Sequence, residues 1–138
     1  MKRLMSLLVL VCFCLVAIGC QGPVEEVKAF LNAKDDALLE ISRTLEANPT
    51  EAGVDAARQA FDAKKEDLKA KRAVLKEKHL EKYGDLNVMI MDGAVTHGKM
   101  FMDIMAKFSV ACREAQSFEQ CEAAKTKLVA LERDFSAV

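Results

Sequence analysis

Residues 86–115 read LNVMIMDGAVTHGKMFMDIMAKFSVACREA, and whether this stretch is strand or helix decides the fold. Its opening is apolar enough for a strand, and Gly93 and Gly98 each weaken a helix by about 1 kcal/mol. The polar residues arbitrate. Asp92, Thr96, Lys99, Asp103, Lys107 and Glu114 recur at the 3.6-residue period and fall on one narrow stripe, with apolar residues on nearly all the rest. The spacing predicts a helix buried on most of its surface, with the glycines marking the place for a kink.

On either side of it the pattern is helical too. Val24, Val27, Leu31, Leu38, Ile41 and Leu45 alternate three- and four-residue steps, a single apolar stripe broken at Lys34. Asn48-Pro49-Thr50-Glu51 then reads as a helix start, with Asn48 as cap, Pro49 in the first turn and Glu51 three residues after the cap. So short a connection predicts that helices one and two run antiparallel. Helix two carries Val54, Ala57, Phe61, Leu68 and Leu75, and Tyr83-Gly84-Asp85 stops it, with Asp85 as the next cap. Ser117-Phe118-Glu119-Gln120 is a capping box placed to start helix four, whose apolar face is Cys121, Ala124, Leu128, Leu131 and Phe135. The expected fold class is all-α: an up-and-down antiparallel four-helix bundle over residues 24–138, behind an N-terminal segment of a different kind.

Composition agrees. The 138 residues allow one domain, and with only six Gly and two Pro the chain is built of good helix formers. A basic run in helix two (Lys64, Lys65, Lys69, Lys71, Arg72, Lys76, Lys78, Lys82) raises a nucleic-acid or lipid-headgroup reading. Interleaved Asp62, Glu66, Asp67, Glu77 and Glu81 oppose it, and Asp67 and Lys71 stand at the i, i+4 spacing that supports a helix. Helix one is acidic (Glu25, Glu26, Asp35, Asp36, Glu40, Glu46), so a solvated, paired surface between the two helices is expected, with contact to anionic lipid or cell wall as the alternative. Without Lys2 and Arg3 the chain has 18 basic against 21 acidic residues, a balance of -3 that argues against a nucleic-acid partner.

The N-terminal segment follows a secretory plan: Lys2 and Arg3, an apolar run over residues 7–18, then small residues. About 15 apolar residues fall short of the roughly 20 that cross a bilayer. Ala17-Ile18-Gly19-Cys20 resembles the lipobox of bacterial lipoproteins, in which a small residue precedes an obligatory cysteine. The resemblance covers residues 1–20 alone, and it departs from the commonest pattern by Ala17 where Leu is usual and by Ile18 where Ala or Ser is usual. It implies a signal peptide over residues 1–19, diacylglycerol on the Cys20 thiol, and a short tether over residues 20–23. Two or three acyl chains, at about 0.8 kcal/mol per buried CH₂, make a lasting anchor. Gln21, where Asp would mean retention at the inner membrane, implies the outer membrane in a Gram-negative envelope.

Cys12 and Cys14 would leave with the leader and Cys20 would carry lipid. Cys112 and Cys121 remain, placed almost equally far on either side of the turn at Gln116 and Ser117. Two antiparallel helices bring such positions opposite each other, in a compartment that permits disulfides. A disulfide is expected there, two buried free thiols being the alternative.

The sequence shows no recognisable catalytic or metal-binding motif. There is no C-x-x-C, neither His79 nor His97 has a Glu three positions before it, and no Gly-rich loop joins a strand to a helix. One soft-ligand set, Met91, His97, Met102 and Met105, would suit copper. On a helical wheel Met91, Met102 and Met105 fall on one flank while His97 projects at the middle of the apolar face, so core packing is the preferred reading, and His97 is expected to hydrogen-bond a polar residue of another helix. The functional expectation is a lipid-anchored envelope protein that acts as a helical interaction or structural module. It would need no catalysis and no cofactor beyond the lipid on Cys20, and its partners would be the membrane and an envelope protein or copies of itself. The alternative is a small-ligand or copper-binding lipoprotein using the Met/His region.

Overall fold

A computed structural model of the chain describes residues 22–138, so the lipobox-like segment and Cys20 lie outside the described residues. Four helices account for nearly all of them: α1 (Pro23–Ala47), α2 (Glu51–Leu75), α3 (Gly84–Ala115) and α4 (Phe118–Ser136). The stretch over residues 86–115 lies in one uninterrupted helix, α3, through both Gly93 and Gly98.

Local chemistry explains the ends. Pro23 opens α1, where its missing N–H would have had no partner. At the first turn the structure corrects the expected cap by two residues. Asn48 closes α1, its φ of -144° drawn out of the helical range before Pro49, and Thr50 caps α2 by accepting from the Gly53 N–H at 3.4 Å. A methyl group on Gly53 would run into the Asn48 carbonyl oxygen, so glycine is what lets this turn close so tightly. Likewise Asp85 is not the cap of α3 but sits in its first turn, where its charge faces the helix N-terminus, and Tyr83 precedes the helix. The capping box of α4 is complete: Ser117 Oγ accepts from the Gln120 N–H at 3.4 Å, and Gln120 Oε1 accepts from the Ser117 N–H at 3.2 Å.

Beyond Leu75, α2 continues into a π-helical turn, Lys76–Leu80. The sequence carried no signal for this wider turn. In the structure His79 of this turn lies against α1, its Nε2 3.0 Å from Glu26 Oε2.

Each helix runs opposite to the one before it. Glu40 pairs with Lys64 and Glu26 with His79 across α1 and α2, while Cys112 and Cys121 face each other across α3 and α4. The two hairpins then lie side by side so that α1 neighbours α3 and α2 neighbours α4. These lateral pairs are parallel. Leu31 meets Gly93 and Asp35 meets His97; further on, Leu45 and Phe108 line one cleft. Glu51 pairs with Lys127, and Arg58 with Asp134. Going round the bundle the order is therefore α1, α2, α4, α3, and the connection from α2 to α3 crosses a diagonal.

The core is the apolar stripe of each helix turned inward, with Leu38, Ile41, Phe61, Leu68, Phe101, Leu128, Leu131 and Phe135 among its members. At about 25 cal/mol per Å² of apolar surface removed from water, such side chains contribute roughly 1.5–3 kcal/mol each. The predicted inner faces of α2 and α4 are buried in full. On α3 the expectation was wrong in extent. Val88, Met91, Val95, Met102 and Val110 stand in solvent, because a helix with only two neighbours can bury one broad side and no more.

Candidate functional site

The break in the α1 stripe is where the interior turns polar. Lys34 sits at a core position, between Val27 and Phe30 on one side and Leu38 and Ile41 on the other, and it is buried. Its long side chain crosses the bundle to the diagonal helix, where Nζ donates to the Phe135 carbonyl at 3.3 Å and lies 4.6 Å from the centre of the Phe135 ring. Both contacts suit a cation: the carbonyl belongs to the negative end of α4, and the ring offers its electron-rich face. Burial, and then the Arg72 guanidinium nearby, pull this amine down to about 8. Arg72 itself donates to the carbonyls of Ala137 and Val138 at 3.0 and 3.2 Å. One cation from α1 and one from α2 thus meet main-chain oxygens at and just beyond the C-terminal end of α4.

His97 lies beside this group, its ring edge-on to Phe135 with centroids 6.0 Å apart. Nε2 is 2.8 Å from Asp35 Oδ1, so the expected hydrogen bond to another helix is present and the partner is on α1. A carboxylate only accepts, so Nε2 carries a proton and donates, while the buried Nδ1 has no hydrogen-bond partner among the described residues. Such an atom costs on the order of 1–3 kcal/mol.

The thiols of Cys112 and Cys121 are both fully buried and are not joined in the structure, close enough for Cys112 to donate a hydrogen bond to the Cys121 sulfur. Burial first, then that hydrogen bond, push the Cys112 thiol up to about 12. A thiol held this firmly protonated is a poor nucleophile in the folded, reduced chain.

The soft-ligand set comes apart. His97 points into the core, whereas Met91 and Met102 are 67% and 71% exposed and Met105 is half-buried, so the histidine and these two methionines belong to different faces of α3. The expectation that the methionines pack the core is also overturned for Met91 and Met102. Among the described residues no group of three or more His, Cys, Asp and Glu side chains is arranged to hold a metal ion. The clefts are open and shallow. One, about 310 Å³ between α1 and α2, is lined by Ala29, Phe30, Ala70, Val74 and Leu75 with Glu26 and Lys71 at its edge.

Charge on the outer surface is paired only in part: of the acids interleaved with the basic run, Glu66 and Asp67 are in ion pairs, whereas Asp62, Glu77 and Glu81 are in none among the described residues. Asp67 and Lys71 are 2.6 Å apart. Lys127 of α4 lies 2.7 Å from Glu51 and 2.9 Å from Asp55, and Arg58 lies 2.8 Å from Asp134. The acid–base match was read between helices one and two, yet much of it joins α2 to α4. No known family matches the chain, and no similar protein or solved structure was found.

Proposed function

We propose that the protein is a lipid-anchored bacterial envelope protein whose helical bundle serves as an interaction or structural module. The observation that carries this reading is the end of the apolar leader, Ala17-Ile18-Gly19-Cys20, with its lipobox-like order and its cysteine. Among the described residues no helix is long and apolar enough to cross a membrane. With acyl chains on Cys20, only Gln21 and Gly22 would separate the anchor from Pro23, the first residue of α1, so the bundle would ride close to the bilayer. A protein tethered so tightly is suited to being positioned and to docking, and the exposed apolar side chains of α3 supply a surface for that. Gln21 favours the outer membrane, and an oxidising envelope favours a Cys112–Cys121 bond.

The test is the intact mass and fractionation of the full chain expressed in a bacterial host with labelled palmitate. The expected species has lost residues 1–19, carries label and sediments with membranes, while Cys20→Ser does none of these. An unlabelled or uncleaved wild-type chain overturns the proposal.

A further inference from the structure

The outward side of α3 carries a second apolar stripe, of which only the last member, Met105, also packs against the core of the bundle. Val88, Met91, Val95 and Met102 are 55%, 67%, 58% and 71% exposed, with Gly98 and Met105 half-buried on the same line. Their spacing is 3, 4, 3, 4, 3, the a and d positions of a heptad seam over about two and a half repeats, and the line is roughly 26 Å long at 1.5 Å per residue. Apolar side chains set singly on a surface need no explanation, but a seam with this period does. Along one flank of the seam, at the e positions, stand Asp92 and Lys99, both exposed and neither in an ion pair among the described residues.

We infer that α3 pairs with α3 of a second copy, antiparallel and about a twofold axis. Antiparallel seams stack each a residue on a partner d residue. The only register that uses the whole seam sets Val88 on the partner's Met105, Met91 on the partner's Met102, and Val95 on the partner's Gly98, with every layer repeated by symmetry. In that register the e positions of the two helices face each other, and Asp92 comes opposite the partner's Lys99 twice, once on each side of the axis. A parallel pairing would set Asp92 against Asn87 and Lys99 against Ala94, leaving four charges unmatched. The charge pattern therefore selects both the occupant, a second copy of this chain, and its direction. Gly98, with open space around it, lets the helices approach closely beside the axis.

Because α1 and α3 run parallel, the two copies begin their α1 helices at opposite ends of the pair. If both copies are anchored at Cys20 in one bilayer, the helices lie along its surface; this consequence rests on the proposed anchor, whereas the pairing does not.

The test uses the full chain in detergent. Copies carrying Met91→Cys are mixed with copies carrying Met102→Cys, treated with a short bis-maleimide, and digested for mass spectrometry. Both positions are exposed, so the variants fold as the parent does. A peptide linking position 91 to position 102 is expected in the mixture and nowhere else, since like positions lie about 16 Å apart along the axis. Links between like positions, or no link at all, overturn the pairing. Sedimentation of Asp92→Lys or Lys99→Asp should show dimerisation weakened about tenfold, with the double exchange restoring it. Equal weakening in the double variant also overturns the register. The intact mass reports the anchor separately: a lipidated monomer removes the pairing alone, and an unlipidated dimer removes the anchor alone.

Discussion

Lys34 shows how one side chain can belong to a core without stabilising it as its neighbours do. Its amine accepts desolvation in exchange for one carbonyl and the aromatic faces of Phe135 and, farther off, Phe30, and its folded-state value of about 8 lies below the 10.5 of the free side chain. Between those two values the unfolded chain keeps a proton that the folded chain has lost, so Lys34 makes stability rise with pH across that window. Below it the full cost of burying the charge is present. Lys34→Met, which fills the same space without a charge, is expected to raise stability at pH 7 by about 1 kcal/mol or more. Its advantage should shrink as pH goes from 8 toward 10.5. Urea unfolding of both chains at pH 7, 8.5 and 10 checks this, and an advantage that stays constant with pH would show that Lys34 does not titrate there. In the sequence Lys34 was visible only as a gap in a stripe. A gap says that a position is odd; it cannot say which distant carbonyl makes the oddity tolerable.

Among the elements, the α3–α4 hairpin is the one whose design was most legible. Its turn has a complete capping box, and the residues equidistant from that turn, Cys112 and Cys121, meet in the interior. Whether they are joined is a matter of redox history. Because the Cys112 thiol is buried and held up to about 12, the folded reduced hairpin should resist oxidation, so a bond has to form before the core closes. Alkylation is expected to leave both thiols of folded, reduced protein untouched for as long as it stays folded and to modify both in urea. Chains oxidised during folding should be more stable than reduced ones by about 2.5–3 kcal/mol, the value for a loop of about ten residues. Rapid labelling of the native reduced chain would contradict the packing described here. Helix α3 taught the opposite lesson about legibility. Its period marks a helix correctly, but the breadth of an apolar surface does not measure its burial, and one wet side of it carries Val88, Met91, Val95 and Met102.

At the scale of the molecule, ion pairs tie one hairpin to the other. Arg58, followed by Lys65, holds the Asp134 carboxyl below its usual range. Its contribution is therefore present above the unfolded value, near 3.8, and is lost as pH falls through the lower folded one. Asp134→Asn should flatten the acid limb of stability against pH, measured by thermal unfolding between pH 5 and about 2; an unchanged limb would mean that this pair is too hydrated to matter. Such contacts are local in space but remote in sequence, as are His97–Asp35 and Gly93–Leu31, which register α1 on α3.

Hydrophobic period, capping residues and short turns were enough to specify four helices, the inward faces of α2 and α4, the reversal of direction at every connection, and the face of α1 except at Val24, which is exposed, and at Phe30 and Ala37, which are buried outside the expected stripe. These are near-neighbour properties: a helix of this composition forms its stripe and its caps whatever it later packs against. The placement of the hairpins relative to each other was of another kind. An up-and-down chain can close with α4 against α1 or, as here, with α1 against α3 and α2 against α4. That choice depends on how side chains interlock across the bundle, on a glycine that admits Leu31 and on a lysine that reaches across the diagonal to Phe135. Packing and long-range polar contacts are written between positions, not along them, and they acquire an energy only once the core has closed.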